Sequence, residues 1–595
     1  MEAAQKKWVW RAAAGLILGV HFTLLVLTAR QKSVTADEPF HIARGVSALF
    51  SGDFRMSVSH PPLVNLISAL PLLAFRNLQV PLQDPTWLNP GADDADRKSR
   101  FARIFLWTHD SKRWAGNPDP LAIIFWCRVP IMLLSVTLGL LLYRRAARHW
   151  GPPSGLMALL LYCLSPTVLA HAGLATTDIG SALFIFIFAL ALMRHLERPS
   201  PWTLAGLGIA FGLAQLAKFT SILLIPLLPI SFLLAPPLPW RDRFRAFFLP
   251  RGRVEALTGL YAGLFVLVMG AAIVWAGYGF EIRSIHRIAP PAPVPIGQPG
   301  NFVKHLMVRA MAAIPLPPRT YYYGLSRTLL DTEEHPHPLY FLGQISHRGW
   351  WYYYPVLFPM KEPIALLLLL AAGLLLIRRP PPRDRPERAV VPVLAVGIVL
   401  FFMFLNSKNI GIRHLLPVYP LLFLWLSRLA AVRVGRVWPA GCWALLSWYA
   451  LNGVVSYPDY LIHFNSLVGG PEGGLKLSVV GVDWGQDIPA LAKFIKERGI
   501  EKIHYNPYGK AEPLAYGVPH QHYRCMSREP GWYAVNVVDL YRPFKDEAED
   551  CYRDFLSRKP VAVLHHTIYI YRIEGSPPAA DVGPPVEEEM PPGSE

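Results

Sequence analysis

The residues best suited to group-transfer chemistry stand at the edges of long apolar runs. Asp37 and Glu38 follow the first run, Asp178 follows the third, and Lys218 follows the fifth. His286, Arg319, Arg348 and Lys361 come after the seventh, and Lys408, Arg413 and His414 after the ninth. All are exits from odd-numbered runs. If the runs cross a membrane, acids and bases meet on one face of it. Acids at such an edge are costly unless they pair or work, which makes them functional candidates. A carboxylate there can take a proton from a hydroxyl or amine, and cations can hold a departing phosphate. A polyprenyl-phosphate sugar, its tail in lipid and its phosphate at headgroup level, suits both. Direct displacement with one carboxylate base inverts the anomeric centre.

The elements that position these groups are read from the apolar blocks. The 595 residues are 52% hydrophobic and 17% charged, against about a quarter charged in soluble chains. A span needs about 20 mostly apolar residues. Spans are expected near 8–30, 121–143, 154–171, 179–195, 202–217, 219–236, 256–278, 363–377, 390–405, 415–427 and 439–455. The first follows Lys6, Lys7 and Arg11 but is too long for a signal-peptide core and lacks a clear cleavage site, so it reads as a retained span.

The formal charge of +17 is an orientation signal. Arg144, Arg145 and Arg148, then Arg241 to Arg253, then Arg378 to Arg388, then Arg428, Arg433 and Arg436 each follow an even-numbered span. Cytoplasmic connections carry such an excess, which places the N-terminus inside, the C-terminus outside, and argues against nucleic acid as a partner.

Three parts then lie outside: the loops 31–120 and 279–362, and a tail from 456. In the first loop "DRKSRFARIFLWTHD" reads either as a helix in the headgroup plane or as one packed on the bundle. The second opens Pro-rich and ends in "RGWWYYYPVLFPMKEP", an interfacial aromatic belt. In the tail, "LSVVGV" and "KIHYN" are strand-like, "IPALAKFIKERG" is helical and ends at Gly499, and "WYAVNVVDLY" and "PVAVLHHTIYIYRI" come later. That pattern gives a small α/β domain over 456–574. Residues 575–595, rich in Pro and Glu, read as disordered.

Cys127, Cys163 and Cys442 fall in apolar spans as small core residues. Cys525 and Cys551 lie in the tail, where a disulfide and two free thiols both stay open. "EEHPHP" (Glu333, Glu334, His335, His337) reads as a solvated stretch rather than a metal site. In "VDWGQD", Asp483 and Asp487 invite a metal reading, but Asp487 before "IPALAKFI" reads better as a helix cap. Lys361 and Lys408 read as snorkelling lysines.

Six segments together resemble a known family. "ADEPFHIARGVSALFSGDF…SHPPLVNLISALPLL" resembles the first external loop of the GT-C glycosyltransferases of family 39, relatives of the protein O-mannosyltransferases and of the lipid A aminoarabinose transferase. "LSPTVLAHAGLATTD" resembles their second acidic loop and "GLAQLAKFTSILLIP" their fifth–sixth span junction. "GWWYYYPVLFPMKEP", "SKNIGIRHLLPVYP" and "FNSLVGGPEGG…VDWGQDIPALAKFI" resemble a bacterial subgroup. The resemblance runs to about residue 574.

It implies a polyprenyl-phosphate-sugar donor, with Asp37 as catalytic base, Glu38 beside it, and Asp178 placing acceptor or sugar. The plain alternative for Asp37 is a helix cap before "EPFHIARG", with Pro39 at the first helical position. Some relatives carry Lys before "PPL", where this chain has His60, so a phosphate contact there depends on pH. Lys218, Arg413 and His414 are then the stronger phosphate candidates, and for Arg413 and His414 an interfacial anchor is the competing reading. Some GT-C enzymes use a divalent ion, and no ligand set in this sequence assigns one.

The expected architecture is an α-helical polytopic membrane protein of GT-C type, with about eleven transmembrane helices, a multi-span part over 1–455 and a small exported α/β domain. The resemblance implies a bacterial inner-membrane enzyme facing the periplasm that transfers a hexosyl or pentosyl group to a protein, lipid or glycan. A lipid or solute transporter or flippase is the rival, but such proteins place ionisable groups near the bilayer midplane. A non-catalytic scaffold is a further rival.

Overall fold

The computed structural model describes residues 2–89, 94–107, 117, 119–234, 253–282, 317–330, 338–377, 385–405, 408–432, 437–524, 529–541 and 549–574. His286, the "EEHPHP" stretch, Cys525 and the segment 575–595 lie outside them, and so does any test of a Cys525–Cys551 bridge.

Helices fall on every stretch expected to span. Trp8–Gln31, Pro120–Trp150, Asp178–Glu197, Gly259–Gly277 and Pro386–Phe404 are each long and apolar enough to cross a membrane. Two bent pairs raise these 5 to as many as 7. Pro152–Cys163 and Pro166–Ala172 meet at 62°, Tyr353–Lys361 and Ile364–Leu376 at 115°. Each break falls just before a proline, where the preceding residue is driven out of the helical region. Ser165 caps the second piece of the first pair by accepting from the Val168 N–H at 3.2 Å. Shorter apolar helices cover Pro201–Ala217, Phe219–Phe232 and Val418–Ala431, and Trp438–Val455 is helical. Lys218, extended at φ −162°, separates Pro201–Ala217 from the next 3₁₀ turn.

Small residues let helices close on one another. A Cβ at Gly212 would sit 2.6 Å from Ile273, and one at Gly270 would sit 2.3 Å from Phe211. Pro201–Ala217 and Arg253–Gly277 thereby pack as membrane helices do, through glycine contacts.

Ion pairs at the helix ends gather in two clusters. Arg145, Glu197 and Glu387, which border the second, fourth and eighth expected spans, meet in one cluster. Exits of odd-numbered spans meet in another, where Asp37 pairs with Arg413 and Asp178 with Lys218.

The tail forms a five-stranded sheet in the order β4-β3-β5-β7-β6. Its strands are β3 (Ile503–Tyr505), β4 (His520–Gln521), β5 (Gly531–Asn536), β6 (Ala562–Leu564) and β7 (Ile568–Ile573), after a separate hairpin of β1 (Leu339–Phe341) and β2 (Gln344–Ser346). β3 runs parallel to β4 and β5, and β7 antiparallel to β5 and β6. The helix Ile488–Arg498 ends at Gly499 in the left-handed region, φ 62°, as expected. "VVDLY" is a short helix, Val537–Tyr541, continuing from β5.

Two expectations about the tail are corrected. "LSVVGV" is not a strand; it pairs with no strand and turns at Gly481 (φ 72°) against Gly411. Asp487 stands at the helix N-cap without a capping bond. Its carboxylate instead accepts from Lys32 Nζ at 2.5 Å and Thr567 Oγ1 at 2.7 Å, because a lysine ammonium is the stronger partner.

The tail is not a free module. Ile488, Leu491, Ile503, Ala534 and Ile570 share one buried cluster with Val46, Trp87, Phe101 and Phe105 of the first loop. The helix Asp94–Trp107 therefore takes the packed of its two expected readings. Cys127, Cys163 and Cys442 are buried free thiols.

Candidate functional site

Asp37 stands at the start of the helix Glu38–Ser51 and makes no side-chain cap bond. Its Oδ2 accepts from Arg413 Nη1 at 2.6 Å, with the Asp37 side chain 39% and the Arg413 side chain 14% exposed. Burial would raise this carboxyl's pKa, but the Arg413 charge and hydrogen bond outweigh it, so the group is held below its ordinary value. Arg413 also donates from Nε to the Ile410 carbonyl at 3.3 Å and lies over the Trp484 ring, 4.3 Å from its centre.

Asp178 is buried at the head of Asp178–Glu197. Its Oδ1 accepts from Lys218 Nζ at 2.6 Å and its Oδ2 from Thr176 Oγ1 at 3.2 Å. Arg413 feels the charges of both Asp37 and Asp178, so two carboxylates and two cations form one electrostatic unit.

The two histidines border it. His60 packs on His41, ring centres 4.8 Å apart, and His41 hydrogen-bonds to Asn65 Oδ1 at 2.9 Å. His414 shares a hydrogen bond of 3.2 Å with Tyr354 OH and packs on Phe402. Burial, followed by nearby positive charge and, at His60, the neighbouring His41, pushes both well below the usual imidazole range. Each is a neutral hydrogen-bonding group rather than a cation near neutral pH.

Glu38, adjacent in sequence, points elsewhere. It is fully enclosed and forms a two-pronged pair with Arg128, Nε to Oε1 and Nη2 to Oε2 both at 2.7 Å. The Thr35 and Ala175 N–H groups complete its shell at 2.8 Å each. Arg128 in turn donates to the carbonyls of Ala29 and Ser33 at 2.9 and 2.8 Å, which fixes the exit of the first helix.

Several residues here escaped the sequence reading. Arg128 carried a usable signal, since an arginine inside an apolar span is a functional hypothesis by default. Trp484 carried none. His171, in the broken third span, is buried 5.6 Å from the Trp484 ring, and its Nδ1 has no partner. Lys361 does not snorkel: it is buried, its ammonium donates to the Leu461 carbonyl at 2.7 Å and sits 4.5 Å from the Phe464 ring centre. Beside it, buried Glu362 accepts from Thr167 at 2.6 Å and from Tyr419.

Among the described residues two groups have metal-like donor sets, His149 with Glu197 and Glu387, and Asp459 with Asp487 and His565. Each already encloses a cation, Arg145 in the first and Lys32 in the second. Neither fits a divalent ion without displacing it, and neither includes Asp37 or Asp178.

The chain is similar to the membrane glycosyltransferases of the GT-C type, family 39. Residues 123–269, which include Arg128, His171, Asp178 and Lys218, match the family model described as dolichyl-phosphate-mannose-protein mannosyltransferase. No curated protein matches the chain. Two solved structures align with it at 13% identity. ArnT from Cupriavidus metallidurans bound to undecaprenyl phosphate covers 95% of this chain and 97% of its own at a TM-score of 0.42. Its apo state covers 95% and 98% at 0.39.

Proposed function

We propose that the protein transfers a sugar from a polyprenyl phosphate to a protein, lipid or glycan acceptor, with inversion, at the periplasmic face of the bacterial inner membrane. In this reading about eleven helices span the bilayer, the N-terminus is cytoplasmic, the tail is exported, and the multi-span part ends near 455. The observation that carries it is the pairing of Asp37 with Arg413 beside that of Asp178 with Lys218.

Asp37 takes the proton of the acceptor hydroxyl or amine. The freed lone pair bonds to the anomeric carbon as the carbon–oxygen bond to phosphate breaks, and that bond's electrons leave with the phosphate. Arg413 and Lys218 neutralise the departing phosphate, His60 and His414 offer it neutral hydrogen bonds, and Asp178 holds Lys218 in place. Glu38, its oxygens filled by Arg128, Thr35 and Ala175, positions the loop rather than reacting.

The test is transfer from a polyprenyl-phosphate sugar pool in proteoliposomes. Asp37→Asn should fold, bind donor and lose about 10²–10⁴-fold in turnover. A folded Asp37→Asn protein that transfers sugar at near wild-type rate would make Asp37 a structural residue and remove the mechanism.

A further inference from the structure

Arg413 cannot serve Asp37 and a donor phosphate equally. A carboxylate held by a guanidinium is a weakened base, and a guanidinium spent on a carboxylate is a weakened phosphate ligand. Loosening their pairing strengthens both roles, and the geometry around Trp484 supplies a way.

Trp484 is itself fixed. Its backbone N–H donates to Gln486 Oε1 at 2.7 Å, its carbonyl accepts from the Ala36 N–H at 3.0 Å, and its ring meets His171. Ala36 is the residue before Asp37, so ring and base are tied through backbone, independently of the arginine. On the other side Gly481 and Gly411 touch: a Cβ at Gly481 would lie 2.8 Å from the Gly411 Cα. The arginine's loop therefore rests on the tail's loop. The guanidinium itself is held by Asp37 at 2.6 Å and by the Ile410 carbonyl at 3.3 Å, and it lies on the ring, 4.3 Å from its centre. A cation over an aromatic face is attracted without a fixed hydrogen-bond direction. A move in its own plane therefore keeps the ring contact while the bonds to Asp37 and Ile410 are exchanged for bonds to an incoming anion.

We propose that Trp484, supplied by the tail, is a positioning residue: its ring carries the Arg413 guanidinium from Asp37 to the donor phosphate, so that Asp37 is released as a base only when donor is bound. This rests on the functional reading above. The exchange makes and breaks no covalent bond, and Arg413 keeps one anionic partner throughout. It also gives the enzyme an order, donor before proton removal.

The test uses the full chain in proteoliposomes, with undecaprenyl phosphate as a sugar-free probe. Trp484→Leu should weaken its binding by about 3- to 30-fold, the range a cation–aromatic contact supports, and Trp484→Phe should restore it to within about threefold. In the wild type the acidic limb of kcat/KM, which reports the free enzyme, should lie at lower pH than that of kcat, which reports the complex. In Trp484→Leu the two limbs should draw together. Coincident limbs in the wild type would overturn the proposal, as would a folded Trp484→Leu protein with unchanged binding. If Trp484→Leu does not fold, the wild-type limbs decide alone. A wild-type protein that transfers no sugar from the donor sinks the functional reading instead, while the binding comparison, which needs no turnover, still decides whether Trp484 holds Arg413 for phosphate.

Discussion

Replacing Glu38 by Gln keeps the side chain's size and removes its charge, and the five donors around it set the cost. Oε1 accepts from Arg128 Nε and the Ala175 N–H, and Oε2 from Arg128 Nη2, the Thr35 N–H and Thr35 Oγ1. An amide has one acceptor oxygen, so either orientation turns its NH₂ toward at least two buried donors. Each lost partner costs about 1–3 kcal/mol, and removing one member of a buried ion pair costs about 3–5 kcal/mol in all. The carbonyls of Ala29, Lys32 and Ser33 still receive Arg128, which argues for the lower part of that range, about 3–4 kcal/mol. Asp37→Asn, at a half-exposed carboxylate, should cost no more than about 1 kcal/mol. The assay is denaturant unfolding in mixed micelles, paired with turnover per folded molecule. Glu38→Gln should unfold far more easily yet turn over within about tenfold of wild type once folded, and Asp37→Asn should do the reverse. Unchanged stability in Glu38→Gln with turnover down a hundredfold would refute the reasoning and make Glu38 part of the chemistry.

Gly481→Ala should lower stability by about 1–3 kcal/mol, through its positive φ and its contact with Gly411, and weaken undecaprenyl phosphate binding. Gly499→Ala, also at positive φ but facing open space, should leave that binding unchanged. A third expectation concerns pH. The hydrogen bond to Asp459 raises the His565 pKa despite burial, so its contribution is complete below about pH 6.5 and is lost as pH rises through the raised value. Asp459, with His565 and Lys32 offsetting its burial, is shifted down, and its share is lost only at much lower pH. Hydrogen exchange in 562–573 should therefore quicken from pH 6 to pH 8.5 beyond the intrinsic rate, and His565→Gln should abolish the excess.

How far the site was legible depended on the kind of signal. That Asp37, Asp178, Lys218 and Arg413 would lie together was expected from counting spans, since odd-numbered exits of an alternating chain share one end, and the four do meet in two ion pairs. The breaks at Pro166 and Pro363 were visible as prolines, but the angle of each bend was not, nor was the burial of Lys361 beside the second. Glu38 was misplaced by adjacency: neighbours at a helix start point in different directions. "LSVVGV" has the composition of a strand, and only the absence of a pairing partner denies it that form. Trp484 belongs to no periodic pattern. Its role comes from a contact between a loop of the bundle and a loop more than 60 residues later, and contacts at such separation leave no local trace.

The shared core of the tail and the first loop sets a timetable. Asp37 leaves the ribosome early, while its supports arrive last: Trp484, then His565 and the strands that bury Ile570 against the first loop. At about 5–20 residues per second, the interval between base and final hairpin is roughly half a minute to two minutes. For most of it Asp37 has no Arg413 to pair with. In the proposed reading, a chain stopped before the last hairpin should therefore be membrane-bound and inert.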